Sequence, residues 1–410
     1  MRQVRNGYSR LLVILFILLF SSASFSAGGN KTVSSWLYKR LEAVEKQLVL
    51  KEYAKATLLL QKTLKKLPNK NYERAVVLRS LASVNAMQGH YKRALPLLEE
   101  SLETGALPKE QASRARLNLG QLYMADGQYQ KTVSIMEKWL RETEKPAPQD
   151  QILLAQAYAQ LKQYKKALPL VDKAVAASPK PVESWYQLQL ALNYELGRYR
   201  QCAVVLQKLV RFYPDKKRYW KDLVGIHQQL KDYKSALAVM ELAHQKALLI
   251  EDKELIQLAN LYLYLDMPLK ASRLLEKELG SGKVEKTEKN LELLANSFIQ
   301  AKEYKRAERP LREAAELSKN GLLYIRLARI LIEQEQWRSA QRNLMKGIKK
   351  GNLKNPGEAW LLMGVSCYER NKSVCSRRAF NKAANYKKQK KSAQQWLQYI
   401  NEEDASNNPD

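Results

Sequence analysis

The sequence predicts an all-α chain, folded as a right-handed α-solenoid of about ten helix-turn-helix repeats. Two observations carry that expectation. A short marker returns along nearly the whole chain, and apolar residues spaced three to four apart flank each copy of it. An apolar leader has to be set aside before either is read.

In the leader, Arg2, Arg5 and Arg10 stand without an acid, Leu11 to Phe20 is wholly apolar, and Ser21 to Ala27 is small and polar apart from Phe25. That is the order of a secretory signal peptide. Cleavage is expected after Ala27, with Ser24 and Ser26 as alternatives because Phe25 is bulky. An uncleaved anchor is the competing reading, but the apolar run is about half of the roughly 20 residues that a spanning helix needs. No Cys follows it to carry a lipid. The expected organisation is a signal peptide over 1–27, the solenoid over 28–386, a basic capping helix over 387–400 and a disordered acidic tail over 401–410.

The marker is a turn residue, any residue, an aromatic, two residues and a small residue. It reads Gly89-His90-Tyr91 with Ala94, Gly127-Gln128-Tyr129 with Thr132, and Gly197-Arg198-Tyr199 with Cys202. With a polar residue for Gly it recurs at Tyr53, Tyr164, Tyr233, Tyr304 and Trp337, and two degenerate copies fall at Pro268 and Ser373. Neighbouring copies lie about 33 to 38 residues apart, the period of helix-pair repeats. Upstream, Leu119-Gly120 and Tyr123 share one helical face, as do Leu258-Ala259 and Tyr262; downstream, Ala167, Val171 and Ala174 repeat the spacing. Each unit is then a helix, a tight turn and an antiparallel helix, with Pro68, Pro179 and Pro214 ending repeats. Pro96 and Pro169 are expected in the first turn of their second helices, where a backbone N–H has no helical partner to lose.

Leu119-Gly120, Tyr123, Thr132 and the later Trp360, Met363, Gly364, Phe380, Ala383 series resemble the tetratricopeptide repeat family, with Arg116 at the usual Trp and Cys367 at the usual Tyr. More narrowly, an exported chain with degenerate repeats and a Cys-bearing final repeat is similar to the periplasmic tetratricopeptide proteins that accompany TonB energy-transduction systems. That resemblance implies a periplasmic scaffold in the complex serving outer-membrane iron-siderophore receptors. A scaffold for envelope biogenesis, in outer-membrane protein assembly or polysaccharide export, is the alternative.

Cys202 occupies a small buried position and reads as a packed hydrophobe. Cys367 and Cys375 lie near the end of one helix and the start of its partner, in a compartment where disulfides form. A bridge there would clamp the last hairpin; two reduced core thiols are the other reading. His90, His227 and His244 have no His or Cys at metal-ligand spacing. No phosphate-cradling loop or nucleophile elbow is present. Neither catalysis nor a cofactor nor a metal is expected.

Stacked helix pairs offer a groove lined by first helices. Counting away from the packed faces gives Arg79, Gln121, Gln156, Tyr194, Lys221, Gln228, Asn260, Tyr264, Asn296 and Arg329 as groove residues, a set able to bond a peptide backbone and attract carboxylates. The formal charge of +29 favours acidic protein surfaces or anionic inner-membrane headgroups. Export argues against nucleic acid. The basic clusters are Lys216-Lys217-Arg218, Lys346 with Lys349-Lys350, and the run from Lys387 to Lys391.

Overall fold

The computed structural model describes residues 32–69 and 71–407. The signal-peptide expectation for 1–27 lies outside the described residues. Among those residues every regular element is an α-helix. The chain divides into two compact units, Met1–Pro214 and Asp215–Asp410.

The first unit holds five antiparallel pairs: α1 (Ser35–Val49) with α2 (Tyr53–Leu64), α3 (Tyr72–Met87) with α4 (Tyr91–Glu103), α5 (Lys109–Ala125) with α6 (Tyr129–Glu142), α7 (Pro148–Gln160) with α8 (Tyr164–Ala177), and α9 (Glu183–Glu195) with α10 (Tyr199–Phe212). The second holds α11 (Lys217–Gln229) with α12 (Tyr233–Gln245), α13 (Asp252–Tyr264) with α14 (Pro268–Gly280), α15 (Glu288–Gln300) with α16 (Tyr304–Leu317), α17 (Leu322–Glu333) with α18 (Trp337–Lys350), and α19 (Pro356–Tyr368) with α20 (Ser373–Ala384). A single helix, α21 (Lys390–Asn407), follows.

Every marker falls at the first residue of a second helix, the two degenerate copies included. The residue two places earlier is left-handed in all ten bends. Gly89, Gly127 and Gly197 have φ of 69–78°, and Lys51, Lys162, Lys231, Asp266, Lys302, Glu335 and Asn371 have φ of 56–60°. The next N–H then reaches back five residues: Gln128 donates to the Tyr123 carbonyl at 2.8 Å, Asp232 to His227 at 2.9 Å and Lys372 to Cys367 at 3.0 Å. This arrangement satisfies carbonyls that a helix end would leave open. A left-handed residue other than glycine costs about 1 kcal/mol, and the bonded turn with the packing behind it offsets that cost.

The packing rests on the small residue three places after the bend. Ala56, Ala94, Thr132, Ala167, Cys202, Ala236, Ala271, Ala307, Ala340 and Ser376 are all fully buried, so each second helix lies close against its first. Tyr53, Tyr91, Tyr129 and Tyr164 pack against the edges of the clusters so formed.

Two expectations need correction. Pro96 and Pro169 are the sixth residues of their helices, in the second turn. Each therefore does remove a helical bond, to the carbonyl of Lys92 or Lys165. Both prolines lie on exposed positions of α4 and α8, as do Lys92 and Lys165, where water can take up the carbonyl. At the other end, the helix expected over 387–400 begins at Lys390 and runs through much of the expected tail to Asn407. The reason is local. Arg377 on α20 bonds Asn401 and Asp404, and the Tyr368 hydroxyl donates to Glu403 at 2.8 Å, so the acidic residues anchor the last turns. Trp396 stacks on Phe380 with ring centroids 5.4 Å apart, closing the core of the final pair.

Candidate functional site: the first-helix faces

Across neighbouring repeats the first helices approach one another, α5 with α7 and α7 with α9 in one unit, α17 with α19 in the other. First helices therefore line the inner side of each stack, and the residues expected in a groove sit on them. The structure treats those ten residues unequally.

In the first unit, Arg79 donates to Gln111 Oε1 at 3.4 Å, and burial lowers its guanidinium pKa. Gln121 and Gln156 are half-buried, and their side chains make no hydrogen bond among the described residues. Tyr194 is 37% exposed, with its ring edge-on to Tyr199 at 5.6 Å.

In the second unit a ladder runs from one first helix to the next. Lys221 pairs with Glu254 at 3.0 Å, beside Lys217, which reaches the same carboxylate at 2.9 Å and Glu251 at 2.5 Å. Burial pushes the Glu254 carboxyl up, but the hydrogen bonds from Lys217 and Lys221 outweigh it and hold the group below the ordinary carboxylate range. Gln257 donates to Gln228 at 3.4 Å. Arg326 donates to both Glu292 and Asn296, and Arg329 pairs with Glu358. Lys221, Gln228, Asn296 and Arg329 thus join repeats to each other. The Asn260 side chain is exposed and makes no hydrogen bond among the described residues, and Tyr264 is 64% exposed, its ring 4.4 Å from Tyr233.

The acidic partners Glu254, Glu292 and Glu358 escaped the sequence reading. Their signal is a charge of opposite sign about one repeat length away, as Lys221 and Glu254 are, and it is legible only once the repeats are aligned.

A second recurrent arrangement also escaped it. Six residues before the bend stands an aromatic, two after it a cation, and eight after the preceding bend an acid. In α13 and α14, the Tyr262 hydroxyl donates to Glu241 at 2.7 Å, Lys270 lies 5.5 Å over the Tyr262 ring, and Lys270 also pairs with Glu241 at 3.1 Å. Tyr123, Lys131 and Glu99 repeat it, as do Tyr158, Lys166 and Glu137, with Phe298, Arg306 and Glu276 as a variant. Desolvation, reinforced by the Glu137 hydrogen bond, pushes the Tyr158 phenol up to about 12. In the final pair the aromatic and cation positions hold Cys367 and Cys375, joined in a disulfide with Cα atoms 5.7 Å apart.

The remaining expected features fall as follows. Cys202 is buried, and burial pushes its thiol up to about 11. His227 is buried with Nδ1 3.5 Å from Asp232, and His244 Nδ1 lies 3.1 Å from the Leu249 carbonyl. No group of three or more His, Cys, Asp or Glu among the described residues is arranged to hold a metal ion. Among those residues no helix is long and apolar enough to cross a membrane. The basic clusters are partly engaged within the fold: Lys350 donates to the carbonyls of Ala315 and Glu316, at 2.8 and 3.2 Å, and so closes the end of α16.

With this geometry in hand, residues 81–150 match the model of the tetratricopeptide repeat. The fold is an α-solenoid of helix pairs, and those residues carry its tetratricopeptide signature. Residues 125–209 also match the model of anaphase-promoting complex, cyclosome, subunit 3. No curated protein matches the chain. Among solved structures, a tetratricopeptide repeat protein from Parabacteroides merdae is similar at 17% identity and a TM-score of 0.40, over 73% of this chain and 100% of its own. YrrB, described as a tetratricopeptide protein with an unusual peptide-binding site, is similar at 18% identity and a TM-score of 0.37, over 44% of this solenoid and 89% of its own chain. MamA from Desulfovibrio magneticus RS-1 is similar at 23% identity and a TM-score of 0.35, over 42% and 96% respectively.

Proposed function

We propose that the chain is an exported scaffold that holds extended segments of other proteins on its first-helix faces. The observation that supports the reading is the set of inner-face groups left over once the ladders are made. Gln121 and Gln156 in one unit, and Asn260 in the other, keep their amides unpaired among the described residues, and Tyr264 beside Asn260 offers a rigid exposed ring. Amides able both to donate and to accept suit a peptide backbone, and an exposed tyrosine adds contact area at low entropic cost.

The finer reading places this scaffold in the periplasm, within a TonB-dependent complex for iron-siderophore uptake. It rests on the leader, the degenerate repeats and the cysteine pair of the last repeat. Affinity capture from a cross-linked envelope fraction tests it: TonB-complex proteins are expected, and an N260A/Y264A variant recovers less of them. Repeated recovery of outer-membrane assembly or polysaccharide-export machinery alone would sink the TonB assignment and favour the envelope-biogenesis scaffold. Capture unchanged in the variant would remove the inner face as the binding surface.

A further inference from the structure

The last two repeats differ from the others on their second-helix side, and the difference leaves a hole. Where earlier bends place an aromatic, the final one has Ser373. Where the latches place an acid eight residues after the preceding bend, α18 has Met345. The aromatic and the long cation of the latch are replaced by the shorter Cys367–Cys375 bridge. The other bend without an aromatic, at Pro268, still has Tyr262, Lys270 and Glu241 in place.

The result is a cleft of about 660 Å³ between α18, α19 and α20, within the range of sites that take a ligand. Its apolar wall includes Met345, Trp360, Met363 and Val374. Met363 is buried, but Met345 is 52% and Val374 77% exposed. Lys372, Arg378 and Lys382 also line it, and no acidic residue does. None of these three cations is in an ion pair among the described residues; Lys382 lies 4.2 Å over the Trp360 ring.

We propose that this cleft binds an acidic protein segment that inserts one aromatic side chain. The incoming ring occupies the space left by the missing bend aromatic and meets Trp360, Met345 and Val374. Carboxylates beside it pair with Lys372 and Arg378, replacing in trans the acid that the latches supply within the chain. Charge complementarity selects the acidic partner, and a space one ring short of the standard repeat selects a side chain over an acyl surface. The cleft is built on α18 and α20 with Trp360 and Met363 of α19, and none of its residues belongs to the first-helix groups of the proposed peptide face, so its test and the capture experiment above fail independently.

Fluorescence anisotropy on the full chain provides the test, with a labelled peptide of Asp and Glu residues around one Phe as probe. Replacing the Phe by Ala, or the acids by Lys, is expected to weaken binding about tenfold or more, equivalent to about 1.4 kcal/mol. Arg378→Glu, on an exposed position, is expected to weaken it similarly with the helical circular dichroism unchanged. Ser373→Tyr restores the bend aromatic in the same chain and is expected to abolish binding without loss of stability. Equal binding of the Phe and Ala peptides, or undiminished binding by R378E or S373Y, overturns the proposal. So does flotation with vesicles containing anionic lipid when the peptide does not bind, which would reassign the cations to a membrane surface.

Discussion

The pair α13–α14 and the pair α19–α20 solve the same problem with different chemistry. Each must hold a first helix to the start of its second helix across a bend, at residues eight apart in sequence. In the former, Tyr262 and Lys270 stack at 5.5 Å, and Glu241 from the preceding repeat binds both. In the latter, Cys367 and Cys375 are bonded. The latch draws on the preceding repeat, whereas the bridge is self-contained and lies in the pair next to the terminal helix α21. A covalent link inside one pair holds that pair whatever its neighbour does, which suits the end of a stack, where only one side is covered by another repeat.

The two pairs also differ behind the bend, and that difference carries the largest expected effect. Nine residues before it, α13 has the fully buried Ala259 and α19 has Gly364; seven after it, α14 has Leu275 and α20 has Phe380. A Cβ at Gly364 would stand 2.5 Å from the Phe380 ring, and that ring is pinned by Trp396. Gly364→Ala is therefore expected to cost about 3 kcal/mol through overpacking. Adding Phe380→Leu, which reproduces the α13–α14 combination, is expected to recover part of that loss. Denaturant unfolding of the single and double variants measures this; a G364A protein as stable as wild type breaks the account of the last core.

Opening the bridge ranks next. A loop this short contributes about 2–3 kcal/mol by restricting the unfolded chain, so C367A/C375A is expected to lower the unfolding free energy of the second unit by that amount. In the wild type, non-reducing peptide mapping is expected to recover the two cysteines linked, with Cys202 free; alkylation of both Cys367 and Cys375 without reductant would remove the covalent half of the comparison. The buried Cys202, its thiol pushed up to about 11, is expected to label only on unfolding.

Much of the fold was legible in the sequence because the bends are local. A left-handed residue, an aromatic two places on and a small residue three further are all dictated by nearby backbone geometry, so Tyr91 and Ala94 could be placed from spacing alone. Pro96 was misplaced for the opposite reason: the marker fixes where α4 starts, but a proline in its second turn is a tolerated exception that spacing does not announce. The inner faces were legible only as a list of positions. Whether Arg329 is available or engaged depends on Glu358, one repeat away, and on how closely successive first helices stack. Sequence periodicity gives the register of one helix and not the distance to the next. The terminal helix passed through the expected tail for the same reason, since Asp404 reads as an acidic solvated residue until Arg377 is placed opposite it.

The smallest effect tests the latch itself. Tyr158 and Tyr262 each donate to a carboxylate from the preceding repeat, and each hydrogen bond is expected to contribute about 1 kcal/mol at neutral pH, so Tyr158→Phe or Tyr262→Phe should lower stability by that amount. The pH dependence distinguishes a latch from mere ring packing. Desolvation and the hydrogen bond to Glu137 raise the Tyr158 phenol from 10 to about 12 in the folded chain. A group whose folded pKa is raised stabilises fully below its unfolded pKa and loses that contribution as pH rises through the folded value. The stability difference between wild type and Y158F is thus expected to hold at pH 8, shrink from pH 10 and vanish as pH passes 12, with the lysines common to both proteins cancelling in the comparison. No difference between the two proteins at pH 8 would mean that the ring, which Y158F keeps, and not its hydroxyl, does the holding. The disulfide-closed pair would then resemble its neighbours in position alone.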